Sequence, residues 1–298
     1  MSGEAVMPVS ELNLQALELM SGYLTRNPRF ITARDVEEVA ACGVAREEAV
    51  VLLLCAASGL DERRPLDRRM IADYVRPSLA RLDPAPFLEN PYMQRIRFPQ
   101  AKQGRWTMTR MAYEPYELFV RDDLLCLPDG REIPQLGYFD TRFAYPAVLE
   151  GGREWMTVTP NEVATMAPAL AQVRGHVAVM GLGLGYFAFM ASEKDDVRAV
   201  MVVERDADVI ALFERHILPQ FAHRDKVRIV RADAFDFAQA GLDGFDCAFV
   251  DLWHDVADGA PMYLRMKALE IRSPGTRFFY WIETSIRCFL RSLGKGIG

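Results

Sequence analysis

The second half of the chain is predicted to form a doubly wound α/β fold with a mostly parallel sheet. From residue 176 onward, strand-like and helix-like segments alternate regularly. The strand-like segments are continuously apolar, which is typical of parallel strands buried on both faces. Three glycines at alternate positions, Gly181, Gly183 and Gly185, follow the first of these segments. Such glycines weaken a strand, so they indicate a special turn.

Composition limits the class of protein. The chain has 298 residues, half of them apolar and 26% charged, with a formal net charge of −6, which is an ordinary globular composition. The densest basic run, Glu62–Arg69, is interrupted by acids and a proline, so we expect no nucleic-acid surface. The longest apolar run, Ala49–Ala57, is too short to span a bilayer, and we expect no membrane association.

The cysteines and histidines argue against disulfide bonds and against bound metal. Five cysteines are scattered without a CxxC pair, which disfavours a disulfide framework and a structural zinc site. The four histidines offer no metal-ligand spacing, so we expect no metal. The N-terminal residues lack the basic and apolar stretches of a signal peptide. Together these features favour a cytoplasmic protein.

Residues 1–103 are predicted to form a helical region followed by a linker. Thr32 is a candidate N-cap and Gly43 a helix stop. A later helical pattern, Asp67–Leu82, contains a proline that should disturb it. Proline and polar residues dominate Pro84–Gln103, and this composition predicts the linker.

Residues 104–159 are predicted to form a small β-domain. The hydrophobic period changes to two within Tyr116–Phe139, and Pro128–Gly130 supplies turn residues, so we expect hairpin strands here. A further strand is expected at Glu154–Thr159.

Residues 160–298 are predicted to form the nucleoside-binding domain. Its first helix begins with a capping box, in which Thr159 is the N-cap, Pro160 the first helical residue and Glu162 the reciprocal acid. Five strands are then expected, near residues 176–180, 197–204, 226–231, 245–251 and 276–283.

The three glycines lie at the carboxyl end of the first strand, where open α/β sheets bind ligands. Glycine allows a tight turn and lets a ligand approach the main chain. The alternative is a turn that merely packs closely against its neighbour. The spacing is G-x-G-x-G, since Tyr186 occupies the place of the third glycine of a dinucleotide fingerprint. This favours a ligand without phosphates, such as S-adenosylmethionine, over a dinucleotide.

Two acids complete the candidate nucleoside site. Glu204 ends the second strand, where a carboxylate can accept hydrogen bonds from both ribose hydroxyls; the alternative is a solvated strand-end acid. Asp233 follows the third strand and can accept from an adenine amino group, with Ala234 leaving room for the ring. Asp233 can also be an N-cap, and the two roles are compatible.

Four segments, "VAVMGLGLGYFAFMA", "VMVVERDADVIALF", "VRIVRADAFDF" and "FDCAFVDLWHD", resemble the successive motifs of class I S-adenosylmethionine-dependent methyltransferases. The similarity covers roughly residues 110 to 285 and is greatest to the spermidine-synthase-like branch, whose members carry a small β-domain before a Rossmann-like fold. The resemblance implies that the three glycines line the methionine and ribose side of the cofactor, with Glu204 on the ribose and Asp233 on the adenine. It places Asp251 beside the sulfonium and the acceptor.

The sequence also departs from spermidine synthases. Leu184 stands where those enzymes have an aspartate in the glycine loop. Asp251 and Asp255 are four positions apart instead of three. A polyamine is a multiple cation and needs a row of carboxylates, so these differences disfavour aminopropyl transfer. Between the two acids, His254 is a candidate base and Trp253 a candidate wall for the acceptor; the alternative is a packed loop.

These observations predict an S-adenosylmethionine-dependent methyltransferase acting on a small-molecule acceptor, with Asp251 and His254 as candidate catalytic residues. The alternatives are an aminopropyltransferase and a non-catalytic module that binds S-adenosylmethionine. The resembled fold has more than five strands, so we expect a C-terminally short sheet. Its fifth strand, Thr276–Glu283, would then be an aromatic-rich edge covered by a homodimer partner or by an N-terminal segment.

Overall fold

The computed structural model describes residues 7–294. Two compact units are present, each built from two stretches of chain: unit 1 comprises Met1–Pro84 and Ala112–Ala144, and unit 2 comprises Ala85–Met111 and Tyr145–Gly298. The expectation that no signal peptide is present falls partly on residues 1–6, outside the described residues. The three-domain division of the sequence stays a prediction.

The helices and strands are as follows. The α-helices are α1 (Val9–Arg26), α2 (Ala33–Ala40), α3 (Arg46–Ala57), α4 (Pro65–Met70), α5 (Arg76–Ser78), α6 (Ala85–Leu88), α7 (Pro91–Arg95), α8 (Pro160–Leu170), α9 (Tyr186–Ser192), α10 (Ala207–His216), α11 (Ala234–Gln239), α12 (Val256–Leu269) and α13 (Glu283–Ser292). The strands are β1 (Leu79–Arg81), β2 (Ala101–Gln103), β3 (Trp106–Tyr113), β4 (Phe119–Val120), β5 (Leu125–Cys126), β6 (Glu132–Ile133), β7 (Leu136–Tyr138), β8 (Phe143–Glu150), β9 (Arg153–Thr157), β10 (Gly175–Met180), β11 (Val197–Glu204), β12 (Val227–Arg231), β13 (Cys247–Val250) and β14 (Arg277–Tyr280).

Unit 1 contains the predicted helical region. Thr32 caps α2 by accepting from the Asp35 backbone N–H, and the left-handed Gly43 follows the helix end. A π-helical turn, Ile71–Val75, joins α4 to α5 just before Pro77, and helix ends at Ser78. The local distortion therefore precedes the proline, which lacks the N–H that a regular helix needs.

The predicted hairpin also lies in unit 1. Strands β5 and β6 pair antiparallel, and the turn between them is closed by the Leu127 N–H, which donates to the Arg131 carbonyl at 2.8 Å. Asn13 of α1 supports this turn from the side, since its amide donates to the Gly130 carbonyl at 2.9 Å. The turn chemistry of Pro128–Gly130 thus places the hairpin as expected.

The segment Pro84–Gln103 is more ordered than a linker. It contains α6, α7 and β2, and the Tyr92 side chain is fully buried within unit 2. Ile96 and Phe98 are also buried. Pro91 is the first residue of α7, so proline content alone was a poor guide to this stretch.

The sheet that carries the site has five parallel strands in the order β12-β11-β10-β13-β14 within the described residues. These are the five strands that the sequence predicts. Strand β10 pairs with β11 on one side and with β13 on the other. The connections leaving β10 and β13 therefore run in opposite directions, which creates a topological switch point between their carboxyl ends.

Helices cover both faces of this sheet. Val177 and Val179 of β10 belong to one buried cluster, together with residues of α8, α9 and α10. The alternate residues Ala178 and Met180 belong to another, together with residues of α11, α12 and α13. Side chains of a strand point alternately to the two faces, so the sheet is buried on both sides. The fold is a doubly wound α/β sheet, and this prediction is confirmed.

Strand β14 is the sheet edge next to β13. Its Phe278 and Phe279 side chains are partly buried against the apolar clusters on the two faces. Whether a partner covers this edge stays a prediction. None of the helices within residues 7–294 combines the length and apolarity needed to cross a membrane.

Candidate functional site

The glycine loop connects β10 to α9 at the switch point. All three glycines have positive φ, +97° at Gly181, +54° at Gly183 and +75° at Gly185. A Cβ at Gly181 would collide with the Asp251 carbonyl, and one at Gly185 would collide with the Phe213 ring. A Cβ at Gly183 would meet nothing within 4 Å. Two glycines therefore allow close packing, and the middle one leaves an open face on the loop.

The loop is held in place from several sides. The Gly181 N–H donates to the Val203 carbonyl at 3.0 Å. The Tyr92 hydroxyl donates to the Leu184 carbonyl at 2.7 Å, and the Leu182 and Leu184 side chains are buried. Leu184, at the position of the spermidine-synthase aspartate, thus contributes to packing. These contacts fix the main chain around Gly183 before any ligand binds.

Glu204 lies against this loop at the end of β11. Its Oε2 accepts the Leu182 backbone N–H at 3.2 Å, and its Oε1 accepts the Asp206 backbone N–H at 2.8 Å. The side chain is partly buried, so the solvated alternative does not describe it. Each carboxylate oxygen has two lone pairs, and Glu204 can still accept from a ligand's hydroxyl groups.

Asp233 is the N-cap of α11, as one of its two predicted roles requires. Its Oδ1 accepts both the Phe235 and the Asp236 backbone N–H groups, at 2.8 and 3.2 Å. Its Oδ2 accepts no hydrogen bond within the described part of the chain and remains available. Ala234 is buried. The Ala232 N–H donates to the Glu204 carbonyl at 3.1 Å, which ties the two strand ends together.

Asp251 follows β13 and lies beside the glycine loop, because its backbone N–H donates to the Met180 carbonyl at 2.9 Å. Burial raises the pKa of its carboxyl to about 7. We find no hydrogen bond or ion pair to this carboxyl from residues 7–294. A carboxyl that is partly buried and unpaired is a candidate for a functional group.

Glu162 is a second carboxyl near Asp251. Its Oε1 accepts the Thr157 hydroxyl at 3.0 Å and its Oε2 accepts the Thr159 backbone N–H at 3.1 Å. Burial raises its pKa to about 8, and the charge of Asp251 adds to this, although both hydrogen bonds act in the opposite direction. The capping box was the only signal for Glu162 in the sequence. Its nearness to Asp251 depends on the tertiary packing of α8 against the sheet.

Tyr186 also belongs to this neighbourhood. Its hydroxyl accepts the Asn90 amide at 3.0 Å. Burial raises the pKa of Tyr186, and the negative charge of Glu162 adds to this effect. Tyr186 was noted in the sequence only as the residue that breaks the dinucleotide fingerprint, and Asn90 lay in the predicted linker.

The remaining candidates, Trp253, His254 and Asp255, lie in the loop after Asp251 and have different environments. The Trp253 ring is only 6% exposed, lies against Gly259 of α12, and its indole N–H has no partner among the described residues. Asp255 caps α12 by accepting the Ala257 and Asp258 backbone N–H groups. Trp253 and Asp255 are therefore parts of a packed loop. His254 is exposed, so its catalytic role stays a prediction.

The fold and the site together define a doubly wound α/β protein with an open glycine loop and carboxylates at the carboxyl edge of its sheet. No family model and no curated protein matches the chain. Solved structures similar to it include two spermidine synthases and a precorrin 8W decarboxylase.

Three of these structures are distant from the chain. Spermidine synthase from Thermotoga maritima is 15% identical with a TM-score of 0.34, over 52% of this chain and 60% of that one. A spermidine synthase in complex with the transition-state analogue AdoDATO is 16% identical with a TM-score of 0.37, over 52% and 61%. Precorrin 8W decarboxylase from Methanobacterium thermoautotrophicum is 25% identical with a TM-score of 0.33, over 46% and 73%. The residues of the site must therefore carry any argument about function.

Proposed function

We propose that this protein is an S-adenosylmethionine-dependent transferase, and that it transfers the methyl group to a small-molecule acceptor. The observation that carries this proposal is the arrangement around Gly183. The glycine leaves an open loop face, Glu204 is hydrogen-bonded to that loop, and the unpaired carboxyl of Asp251 follows the neighbouring strand.

The donor set suits this cofactor. Glu204 would hold the two ribose hydroxyls, since both its oxygens keep accepting capacity. The free Oδ2 of Asp233 would accept from the adenine amino group while Oδ1 remains bonded to the helix α11. The open face at Gly183 leaves space for the nucleoside beside the main chain. S-adenosylmethionine, when bound, supplies a methyl group on a positively charged sulfur.

Asp251 has the properties of a proton acceptor in this reaction. Burial raises its pKa to about 7, close to neutral pH, and such a pKa suits a general base. When the acceptor is methylated, the Asp251 carboxylate would take up the acceptor's O–H or N–H proton. Burial raises the pKa of Glu162 as well, and the charge of Asp251 adds to this effect, so the two carboxyls titrate as a pair.

Aminopropyl transfer is a second candidate, favoured by the two carboxyls. Glu162 and Asp251 would attract an amine cation, and Glu154 contributes further negative charge near Glu162. The buried Leu184 in the glycine loop and the capping role of Asp255 disfavour it. Decarboxylated S-adenosylmethionine, the donor for aminopropyl transfer, separates the two candidates.

Calorimetric titration of the full chain tests the proposal. We expect S-adenosylmethionine and S-adenosylhomocysteine to bind without added metal and more tightly than NAD. Glu204→Ala should weaken binding by about 1.5–3 kcal/mol, the scale of hydrogen bonds to a charged group. Glu214→Ala, at an exposed position of α10, is the matched control and should bind like the parent.

Four results would count against the assignment. If Glu204→Ala and the parent bound the cofactor with equal affinity, Glu204 would not hold the ribose. Tighter binding of NAD would remove the cofactor class. A preference for the decarboxylated donor would favour aminopropyl transfer, whereas normal cofactor binding without turnover on any acceptor would favour a non-catalytic binding module.

A further inference from the structure

Trp155 is an extra residue in the β8–β9 ladder. Glu154 pairs with Leu149 and Met156 pairs with Val148, so two consecutive residues of β8 face three residues of β9, with Trp155 between the pairs. This is a β-bulge. Bulges redirect side chains and are frequent beside functional sites.

The bulged side chain reaches the loop that carries Asp251. The Trp155 ring meets the His254 ring edge-to-face, with centroids 4.0 Å apart and an interplanar angle of 83°. His254 follows Asp251 by three positions. On its other side, Trp155 contacts Trp106 at 5.8 Å. Two aromatic neighbours therefore hold the ring against the loop that follows Asp251.

Packing does not account for Trp155. Its ring is 40% exposed, whereas Trp253 in the neighbouring loop is 6% exposed and fills the core. A ring that is held in place by neighbours and yet is open to solvent provides a ready surface for another flat group.

The same strand connects this ring to the carboxyl pair. Thr157, two residues after Trp155, donates its hydroxyl to Glu162, and the pKa of Glu162 responds to the charge of Asp251. One short strand thus carries both an exposed aromatic ring and the hydroxyl that contacts Glu162, one of the two carboxyls on which the proposed function depends.

We propose that Trp155 is an acceptor-binding residue that determines specificity: its ring stacks on a flat aromatic or heteroaromatic part of the acceptor, whose reacting O–H or N–H then lies towards Asp251. This inference rests on the proposed function and names the substrate class of the same site. His254 acts in it as a positioning residue that holds the Trp155 ring.

Two simple probes test the substrate class. Catechol and trans-cyclohexane-1,2-diol both carry adjacent hydroxyl groups, but only catechol is flat. Each is titrated into the full chain saturated with S-adenosylhomocysteine, and dissociation constants are measured by ligand-observed NMR. We expect catechol to bind about tenfold more tightly than the diol, the scale of stacking a flat ring on an aromatic side chain.

Variants assign this preference to Trp155. Trp155→Ala should weaken catechol binding about tenfold and leave diol binding unchanged, and Trp155→Phe should restore most of the loss. Phe30→Ala removes another exposed aromatic ring, 52% exposed and located in unit 1, and should change neither probe's affinity.

The outcomes distinguish this inference from the proposed function. Failure of S-adenosylhomocysteine to bind would overturn both. The role of Trp155 alone would be overturned by any of three results obtained while S-adenosylhomocysteine binds normally. These results are equal affinity for the two probes, no binding of catechol, and unchanged catechol binding in Trp155→Ala.

Discussion

Replacing Asp251 by asparagine should change how stability depends on pH. Burial raises the pKa of this carboxyl from 3.8 to about 7, so the folded state holds its proton more strongly than the unfolded state. The folded state is therefore favoured at low pH, and this advantage declines as pH rises from the ordinary pKa through the raised one. Asparagine has nearly the same shape and no such proton.

The magnitude follows from the raised pKa. Between pH 5.5 and pH 8.5 the unfolded carboxyl is already ionised, while the folded one loses its proton near pH 7. The unfolding free energy changes by about 1.4 kcal/mol per pH unit over the roughly 1.5 pH units between pH 5.5 and that pKa. The parent should therefore lose about 2 kcal/mol of unfolding free energy that Asp251→Asn keeps. Removal of the Asp251 charge also lowers the pKa of Glu162, which acts in the same direction.

Urea unfolding at the two pH values measures this difference. All four tryptophans, Trp106, Trp155, Trp253 and Trp281, lie in unit 2, so their fluorescence reports on the unit that contains Asp251. Asp195→Asn, at an exposed position, is the control and should follow the parent. If Asp251→Asn and the parent lost the same free energy of unfolding between pH 5.5 and 8.5, the assignment of a buried Asp251 carboxyl with a raised pKa would be wrong.

Two further expectations concern the glycine loop and the acceptor side. Gly185→Ala should destabilise the fold by several kcal/mol, on the order of an overpacked core site, because its Cβ meets the Phe213 ring. Gly183→Ala should cost only about 1–3 kcal/mol of stability for its positive φ, but it should abolish most S-adenosylhomocysteine binding. Unchanged binding in Gly183→Ala would contradict the assignment of an open loop face at this glycine. Once an acceptor is known, Asp251→Ala should lower turnover by about 100-fold or more with little loss of cofactor affinity. His254→Ala should lower turnover less. If both variants kept the parental turnover, the loop that contains Asp251 and His254 would have only a packing role.

The order of strands and helices was predictable from the sequence because it depends on local patterns. Continuous apolar runs marked the five parallel strands, and the capping box at Thr159 marked the start of α8. The glycine loop and Glu204 were predictable as neighbours, since the carboxyl ends of adjacent parallel strands meet at one sheet edge. The hydrogen bond from Leu182 to Glu204 is the direct result.

The segment Pro84–Gln103 was misjudged because composition reports local preference and does not report what a segment packs against. Tyr92 is a single aromatic residue in a proline-rich stretch, and nothing nearby shows that its hydroxyl reaches the Leu184 carbonyl. Trp253 and Trp155 show the same limit. Trp253, inside the motif, is buried in the core, and Trp155, outside it, is exposed and contacts His254.

The sequence by itself determined the doubly wound sheet, the position of its glycine loop and the carboxylates that end its strands. These follow from hydrophobic periodicity and from backbone chemistry that each residue carries locally. Only the tertiary structure decided that Glu162 lies near Asp251, that burial raises the pKa values of both, and that a bulge directs Trp155 to His254. Burial and charge coupling arise between segments far apart in the chain, so no local pattern could contain them.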